Sequence, residues 1–436
     1  MQFAKGIPAT EERGIFARLR MPLFAFVLAG CIAILFEASR ATNPAPLQEP
    51  TGGPVVALVG AKVYVAPFQK AIGNGVVVIQ NGKILAVGRR GQVPIAQGAG
   101  TFNCSGMFIV AGFQNSHVHF TESKWNNAAQ LPAAQLTSQL KEMFAQYGFT
   151  SVVDTGSNPE NTVSLRKRIE SGEVLGPRIL TAGSPLYPPN GVPYYVKNSL
   201  PPEIVKQLFQ PTTPAEAVQQ VDGNIAQGAD ISKLFTGSWV AKGQVVTMPL
   251  NIAQAAVAEA HKKGKLVFAH PSNVAGFQIA LEAHVDVLAH TVEDTRGWNR
   301  ADIGQMKAQG MWLIPTLALF SGDSNLSEIL QEVSDYKQAP QQILFGTDAG
   351  FLPDYNPTKE YELMQRAGMD FWQILDSLTT APARRFGETG IRGEIKAGMD
   401  ADLVVLARDP EHDIHALTRV NYTFRQGRII YSILER

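Results

Sequence analysis

The sequence is short of cysteine, of charge and of long apolar runs, and each shortage excludes something. Two of the 436 residues are cysteines, Cys31 and Cys104. Cys31 lies inside an N-terminal apolar run, which leaves Cys104 without an internal partner. A disulfide framework is thereby excluded, and Cys104 is expected to be a small buried hydrophobe. Charged residues make up 17 %, and 38 Lys plus Arg balance 38 Asp plus Glu to a formal net charge of zero. With no basic stripe, a nucleic-acid partner is not expected. There is no internal repeat and no heptad pattern. No glycine-rich phosphate loop follows the first central strand, which counts against a doubly wound nucleotide-binding sheet. At 45 % hydrophobic residues the chain is still that of a folded globular protein.

The longest apolar run, "MPLFAFVLAGCIAILF", is 16 residues, short of the ~20 that a membrane-spanning helix needs. "RGIFARLR" precedes it with three arginines, and "EASRA" and the polar "TNPAPLQEPTGGP" follow. A basic flank, a short apolar core and small residues before Ala41 describe a signal peptide over residues 1–41 and a linker over 42–54. The mature protein would then be exported, periplasmic or secreted. Anchoring by a retained segment is the alternative. "LAGC", ending at Cys31, also resembles a bacterial lipobox, although the apolar "IAILF" after it argues against lipidation.

Residues 55–105 read as short strands, with Asn81-Gly82 as a hairpin turn between "VVVIQ" and "KILAVG". "GEIKAGMDADLVVLARDP" and "NYTFRQGRIIYS" near the other end read the same way, with a turn at Gln426-Gly427. Residues 55–105 and 389–436 are expected to form one small β-sandwich. Between them, eight apolar β-branched runs alternate with helix-like stretches, several ending in glycine. Over 106–388 that alternation fits a (β/α)8 barrel, typically ~250 residues long.

Active sites of such barrels lie where the strands end. The ends of these runs carry His117 and His119 (strand 1), Lys233 (strand 4), His270 (strand 5), His290 (strand 6) and Asp348 (strand 8). His117 and His119 are two apart, so on a strand both imidazoles point the same way. Each residue has an ordinary explanation by itself: a hydrogen-bonded histidine, a surface lysine, an aspartate capping a helix. Together, four of the eight histidines, a lysine and an aspartate on one face of a barrel point to a metal site. His261, His284, His412 and His415 fall elsewhere.

"HVH" after strand 1, the lysine of strand 4, the histidines of strands 5 and 6, "GTDAG" at strand 8 and the terminal "GEIKAGMDADLVVL" resemble the amidohydrolase superfamily over about residues 55–436. The resemblance is to the imidazolonepropionase-related branch with its Xaa-Pro dipeptidases. It implies two divalent metal ions, with zinc suited to such ligands. His117, His119 and Asp348 would hold one ion and His270 and His290 the other. Lys233 would bridge both as an N-carboxylated carbamate, since an ammonium would repel a cation. Asp348 would be the catalytic proton carrier. The implied reaction is hydrolysis of an amide bond in a small molecule, a dipeptide in the finer reading, by metal-activated water.

Hydrolysis of a cyclic amide, lactone or organophosphate ester on the same site is the enzymatic alternative, and a non-catalytic metal-binding barrel is the alternative of another class. Two departures stand out: Pro271 follows His270, and Phe235 stands two residues after the lysine where relatives often carry tyrosine. A proline-rich loop, "SPLYPPNGVPYYVKNSLPPE", brings Tyr187, Tyr194 and Tyr195 without an evident role. Whether the chain forms a homo-oligomer is left open.

Overall fold

The computed structural model describes residues 55–337 and 342–435. The expected signal peptide, the linker and Cys31 lie outside the described residues. Among the described residues no helix is long and apolar enough to cross a membrane.

Runs rich in valine and isoleucine build β1 (Val55–Val63), β2 (Ile72–Gln80), β3 (Lys83–Arg89), β4 (Gly100–Asn103) and β5 (Phe108–Ala111). Asn81 and Gly82 turn β2 into β3 with φ of 51° and 78°, the left-handed pair that a two-residue hairpin requires. The central region supplies β6 (Phe113–Val118), β7 (Phe149–Asp154), β8 (Arg178–Thr181), β9 (Ile231–Phe235), the hairpin β10 (Gly237–Ala241) and β11 (Gln244–Thr247), β12 (Leu266–His270), β13 (Val287–Ala289) and β14 (Trp312–Ile314). The chain closes with β15 (Leu403–Leu406), β16 (Val420–Arg425) and β17 (Arg428–Ser432).

The two ends of the chain share one eight-stranded sheet in the order β17-β16-β15-β5-β1-β2-β3, with β4 beside β1. Leu58, Val77, Phe102, Ile109, Leu403 and Phe424 are among the residues of its apolar core. Cys104 is buried in the same cluster, and burial pushes its thiol up to about 12. The chain passes from this sheet to the central region at Gly112. A Cβ there would stand 2.3 Å from Thr150 Oγ1 and 3.0 Å from the Asp402 side chain, so only glycine allows the crossing.

The central strands pair in parallel, as β6-β7-β8 and as β14-β13-β12-β9. Helices cover the connections, as the sequence pattern requires of parallel strands. The helix Leu250–Lys262 is typical: Ile252, Ala253, Ala256, Val257 and Ala260 recur at helical spacing and are buried. The helix Arg300–Gln309 starts in a capping box between Asn299 and Asp302 and stops at Gly310 in the left-handed conformation.

The eighth expected strand is not regular. Residues 342–349 are extended but make only isolated bridges, Leu313 with Ile343 and Val118 with Ala349. The reason is local. Both Thr347 N–H and Asp348 N–H turn to the His117 carbonyl, at 3.3 and 2.9 Å, and Asp348 has φ 59°. The segment still donates to and accepts from both neighbours: Leu344 N–H reaches the Leu313 carbonyl at 2.9 Å, and Ser116 N–H reaches the Phe345 carbonyl at 2.7 Å. At the other edge, Leu186 N–H bonds the Lys233 carbonyl and Phe235 N–H bonds the Leu186 carbonyl, both at 2.9 Å. The two parallel sheets are therefore linked at both edges.

Candidate metal centre

Every strand that carries an expected site residue delivers it at or near its C-terminal end. His117 lies in β6 and His119 just beyond it; Lys233 is in β9, with the strand running on to Phe235; His270 ends β12; His290 follows β13; Asp348 lies in the extended segment. His117, Lys233, His270, His290 and Asp348 are all buried, and His119 is the most exposed with 17 % of its side chain accessible. Asp348 does not cap a helix, since the next helix starts only at Thr358.

The donors meet at Asp348. Its Oδ1 lies 3.3 Å from His117 Nε2 and 3.1 Å from His119 Nε2. Ligand atoms of His117, His290 and Asp348 all fall within 4.8 Å of one another. His290 and His117 rings are 4.5 Å apart, and His290 and His270 rings 4.7 Å. Yet both ring nitrogens of His117, Asp348 Oδ1 and Lys233 Nζ are buried without a hydrogen-bond partner among the described residues. Buried polar groups are seldom left so.

The protons of the other three imidazoles follow from their partners. His119 Nδ1 is 2.8 Å from the Gly156 carbonyl, which can only accept, so the proton is on Nδ1 and Nε2 offers its lone pair. Thr316 donates its one hydroxyl proton to the Pro315 carbonyl at 2.8 Å, so it accepts from His290 Nδ1 at 2.6 Å. His290 Nε2 is thus the free donor. Ser272 donates to the Gly237 carbonyl at 3.1 Å and accepts from His270 Nε2 at 3.1 Å, which leaves Nδ1 of His270 free. Each of these three imidazoles is set by the fold to present a lone pair, as metal-ligating histidines are.

The electrostatics agree. Burial, then the nearby Lys233 charge, pushes His117 down to about 3, and burial holds His270 and His290 well below the usual histidine range. Burial works against the charge of Asp348, but the attraction of His117 and contacts with His117 and His119 hold its carboxyl well below normal. Burial opposes a charge on His119, but Asp348 and Asp154 raise its imidazole above the usual histidine range, and the carboxylate oxygen 3.1 Å from its Nε2 calls for a positive charge between them. A proton or a cation supplies it, and the donor set of imidazoles and carboxylate suits a divalent transition metal. Four residues of the site, Ser272, His290, Thr316 and Asp348, hold positive φ of 54°, 96°, 47° and 59°. For non-glycine residues that costs of order 1–3 kcal/mol each, a strain that clusters at functional sites.

Several supporting residues carried no signal in the sequence. Asp154 is buried at the end of β7; it accepts from Ser157 Oγ at 2.6 Å and from Gly156 N–H at 3.2 Å, fixing the loop that holds His119. Thr316 and Ser272 are ordinary loop residues until the fold places them behind histidines. Phe235 stacks on His270 at 4.6 Å and meets Tyr187 at 4.7 Å. Tyr195 packs on Phe351, three residues past Asp348, at 5.3 Å. His261 pairs with Asp286, His412 with Asp409 and His415 with Asp413 and Glu362, none of them a candidate site residue, and His284 is in a turn.

The profile of the Amidohydrolase family matches residues 108–430. No curated protein sequence matches the chain. Solved structures of similar fold include a Bifidobacterium longum protein assigned as a prolidase, with 24 % identity, a TM-score of 0.73, and 86 % of this chain and 94 % of that one covered. A Xaa-Pro dipeptidase with methionine bound in its active site has 22 % identity and a TM-score of 0.73, over 87 % of this chain and 100 % of that one. A molinate hydrolase has 18 % identity and a TM-score of 0.71, over 87 % and 95 %. At these identities the likeness is one of fold.

Proposed function

The chain belongs to the amidohydrolase family, and from that premise we propose that it hydrolyses an amide bond in a small molecule, a dipeptide of the Xaa-Pro type. The observation that carries this is the convergence of ligand atoms at Asp348: His117, His290 and Asp348 within 4.8 Å, with His119 at 3.1 Å and with His117 and Asp348 Oδ1 without hydrogen-bond partners among the described residues. In this reading His117, His119 and Asp348 hold one divalent ion, His270 and His290 a second, and zinc suits both. The scaffold is the (β/α)8 barrel of residues 106–388, supported by the links at both edges of the parallel sheets, beside a β-sandwich of residues 55–105 and 389–436. The N-terminal segment serves export and is removed at Ala41.

Lys233 joins the two positions as a carbamate. Burial pushes its ammonium down to about 7, so the neutral amine is well populated near neutral pH. That amine adds to carbon dioxide, forming the N–C bond and releasing one proton, and a cation repelled by metals becomes an anion with two oxygens.

Bound divalent ions supply a Lewis acid for the scissile carbonyl and lower the pKa of the attacking water. Asp348, ionised by its surroundings, takes one proton from that water as the oxygen bonds to the carbonyl carbon. It then delivers the proton to the leaving nitrogen as the C–N bond breaks. The products are a carboxylic acid and an amine, and no bond to the enzyme forms. The molinate hydrolase among the solved neighbours supports keeping the amide class wider than dipeptides.

The test is turnover of a Xaa-Pro dipeptide library by the purified full chain. Release of free proline that stops in Asp348→Asn is expected. A library left intact by metal-loaded protein contradicts the dipeptide reading.

A further inference from the structure

Three polar groups on the segments after β8 and β13 are not used by the hydrolytic reading. Glu293 is three residues past His290, on a loop pinned to the loop after His270: Asp294 N–H bonds the Ser272 carbonyl at 2.9 Å. Asn325 Nδ2 holds the Glu293 carbonyl at 2.8 Å. The side chain is aimed by Trp239, whose indole N–H donates to Oε2 at 2.7 Å. Oε1 takes no hydrogen bond among the described residues. Tyr187 is 5 % exposed, and its hydroxyl finds no partner there either. The same holds for the hydroxyl of Tyr195, whose ring packs on Phe351, three residues past Asp348, at 5.3 Å; burial first, then the charges of Tyr187, Glu293 and Asp348, raises it well above the usual tyrosine range.

These groups have a sign. Burial, opposed by the Trp239 bond and joined by the charges of Asp323 and Asp294, pushes the Glu293 carboxyl up to about 7. No hydrogen bond or ion pair to Glu293 comes from a lysine or arginine among the described residues. Arg296 is held by Asp294 at 2.7 and 2.5 Å, and Lys124 is held by Glu122 at 3.2 Å and by Tyr355 at 2.5 Å. A half-buried carboxylate with one neutral donor and a free oxygen is completed by a cation that brings hydrogen-bond donors. Tyr195 and Phe351, whose rings meet edge to face at 5.3 Å, are aromatic groups of the kind that an ammonium can approach.

We propose that Glu293, with the hydroxyls of Tyr187 and Tyr195, recognises a protonated amine on the substrate. This rests on the amide-hydrolase reading above and narrows it: the substrate carries a free ammonium near the scissile carbonyl, as the amino end of an unblocked dipeptide does. Blocking that nitrogen removes the charge and leaves Glu293 facing an uncharged amide.

The experiment uses the metal-loaded full chain and two probes, leucyl-proline and N-acetyl-leucyl-proline. Binding is followed by calorimetry and by the fluorescence of Trp239, whose indole bonds Glu293, and cleavage is measured in parallel. The free dipeptide is expected to bind about 10–100-fold more tightly than the blocked one, the scale of a charge-assisted hydrogen bond. In Glu293→Gln that ratio collapses toward one, while an unchanged melting temperature shows that the fold persists. Trp239→Phe, which removes the aiming donor, lowers the same ratio. Equal or tighter binding of the blocked probe, a ratio that survives Glu293→Gln, or no binding of either probe overturns the proposal. A Glu293-dependent preference without cleavage of either probe supports the amine site and counts against the hydrolytic reading instead.

Discussion

His290 Nδ1 donates to Thr316 Oγ1 at 2.6 Å, and the Thr316 hydroxyl passes its own proton to the Pro315 carbonyl at 2.8 Å. The pair decides which nitrogen of His290 faces the metal position. Thr316→Val keeps the shape and the β-branching but removes the acceptor, so the imidazole is free to take the wrong tautomer. Metal affinity should fall by ~10–100-fold, the usual effect of losing such a partner, while Thr316→Ser should restore most of it. Metal titration of the two variants checks this; equal affinity in both would mean that the hydroxyl does not set the ring.

Asp348→Asn separates the proton carrier from the fold. Asparagine tolerates the left-handed backbone that Asp348 adopts, so the melting temperature should stay close to that of the parent. It cannot accept the water's proton at neutral pH, and kcat should drop by ~10²–10⁴. Parental turnover in this variant would remove Asp348 from the mechanism.

The residues proposed for the site were legible because they sit in or just past apolar, strand-like runs. His117 and His119 stand two apart after an apolar run; β6 ends at Val118 and holds only His117, and His119 reaches the same Asp348 oxygen from just beyond the strand. Lys233 was legible as a charge inside the buried run "ISKLF". What surrounds them was not. Thr316, Ser272 and Asp154 act through loop backbones with positive φ or side-chain turns, which no periodicity announces. The same limit explains the eighth strand: "QILFGTDAG" has the composition of a strand, but Gly346 and Asp348 bend it around His117. A Cβ on Gly346 would come within 2.8 Å of His117 Cβ and 2.4 Å of the Ile314 side chain. The tyrosines of the proline-rich loop drew notice only by their number, and their place beside Phe235 and Phe351 came from the fold.

Arg392 is buried among three carboxylates, with Glu388 at 3.1 Å, Asp400 at 2.9 Å and Asp402 at 3.1 Å. Asp402 also bonds Gln426 N–H at 2.7 Å, so the cluster ties the turn before β17 to the rest of the sheet. Arg392→Met should cost about 3 kcal/mol, because Asp402 loses its ion-pair partner while buried, although Glu388 keeps Arg178 and Asp400 keeps Lys83 at 2.6 Å each. Chemical denaturation measures it, and a loss below about 1 kcal/mol would show that the acids simply protonate.

Glu360 gives a pH signature. It is fully buried, accepts from Ala318 N–H at 2.7 Å, and is pushed by burial from 4.5 up to about 8. A carboxyl raised on folding adds stability that is complete below 4.5 and lost as pH rises through about 8. Glu360→Gln keeps an acceptor and cannot ionise. Its melting temperature relative to the parent should therefore rise steadily from pH 5 to pH 9, and a flat difference over that range would contradict a protonated Glu360.

Metal dependence is the claim on which the rest stands, and one titration reaches it most directly. The full chain is stripped with a chelator, and its hydrolysis of a Xaa-Pro dipeptide is followed as zinc is added back. The account predicts no turnover in the stripped protein and full turnover at about two equivalents per chain, as a two-ion site requires. Turnover that survives stripping, or that never returns with any divalent ion, would contradict it.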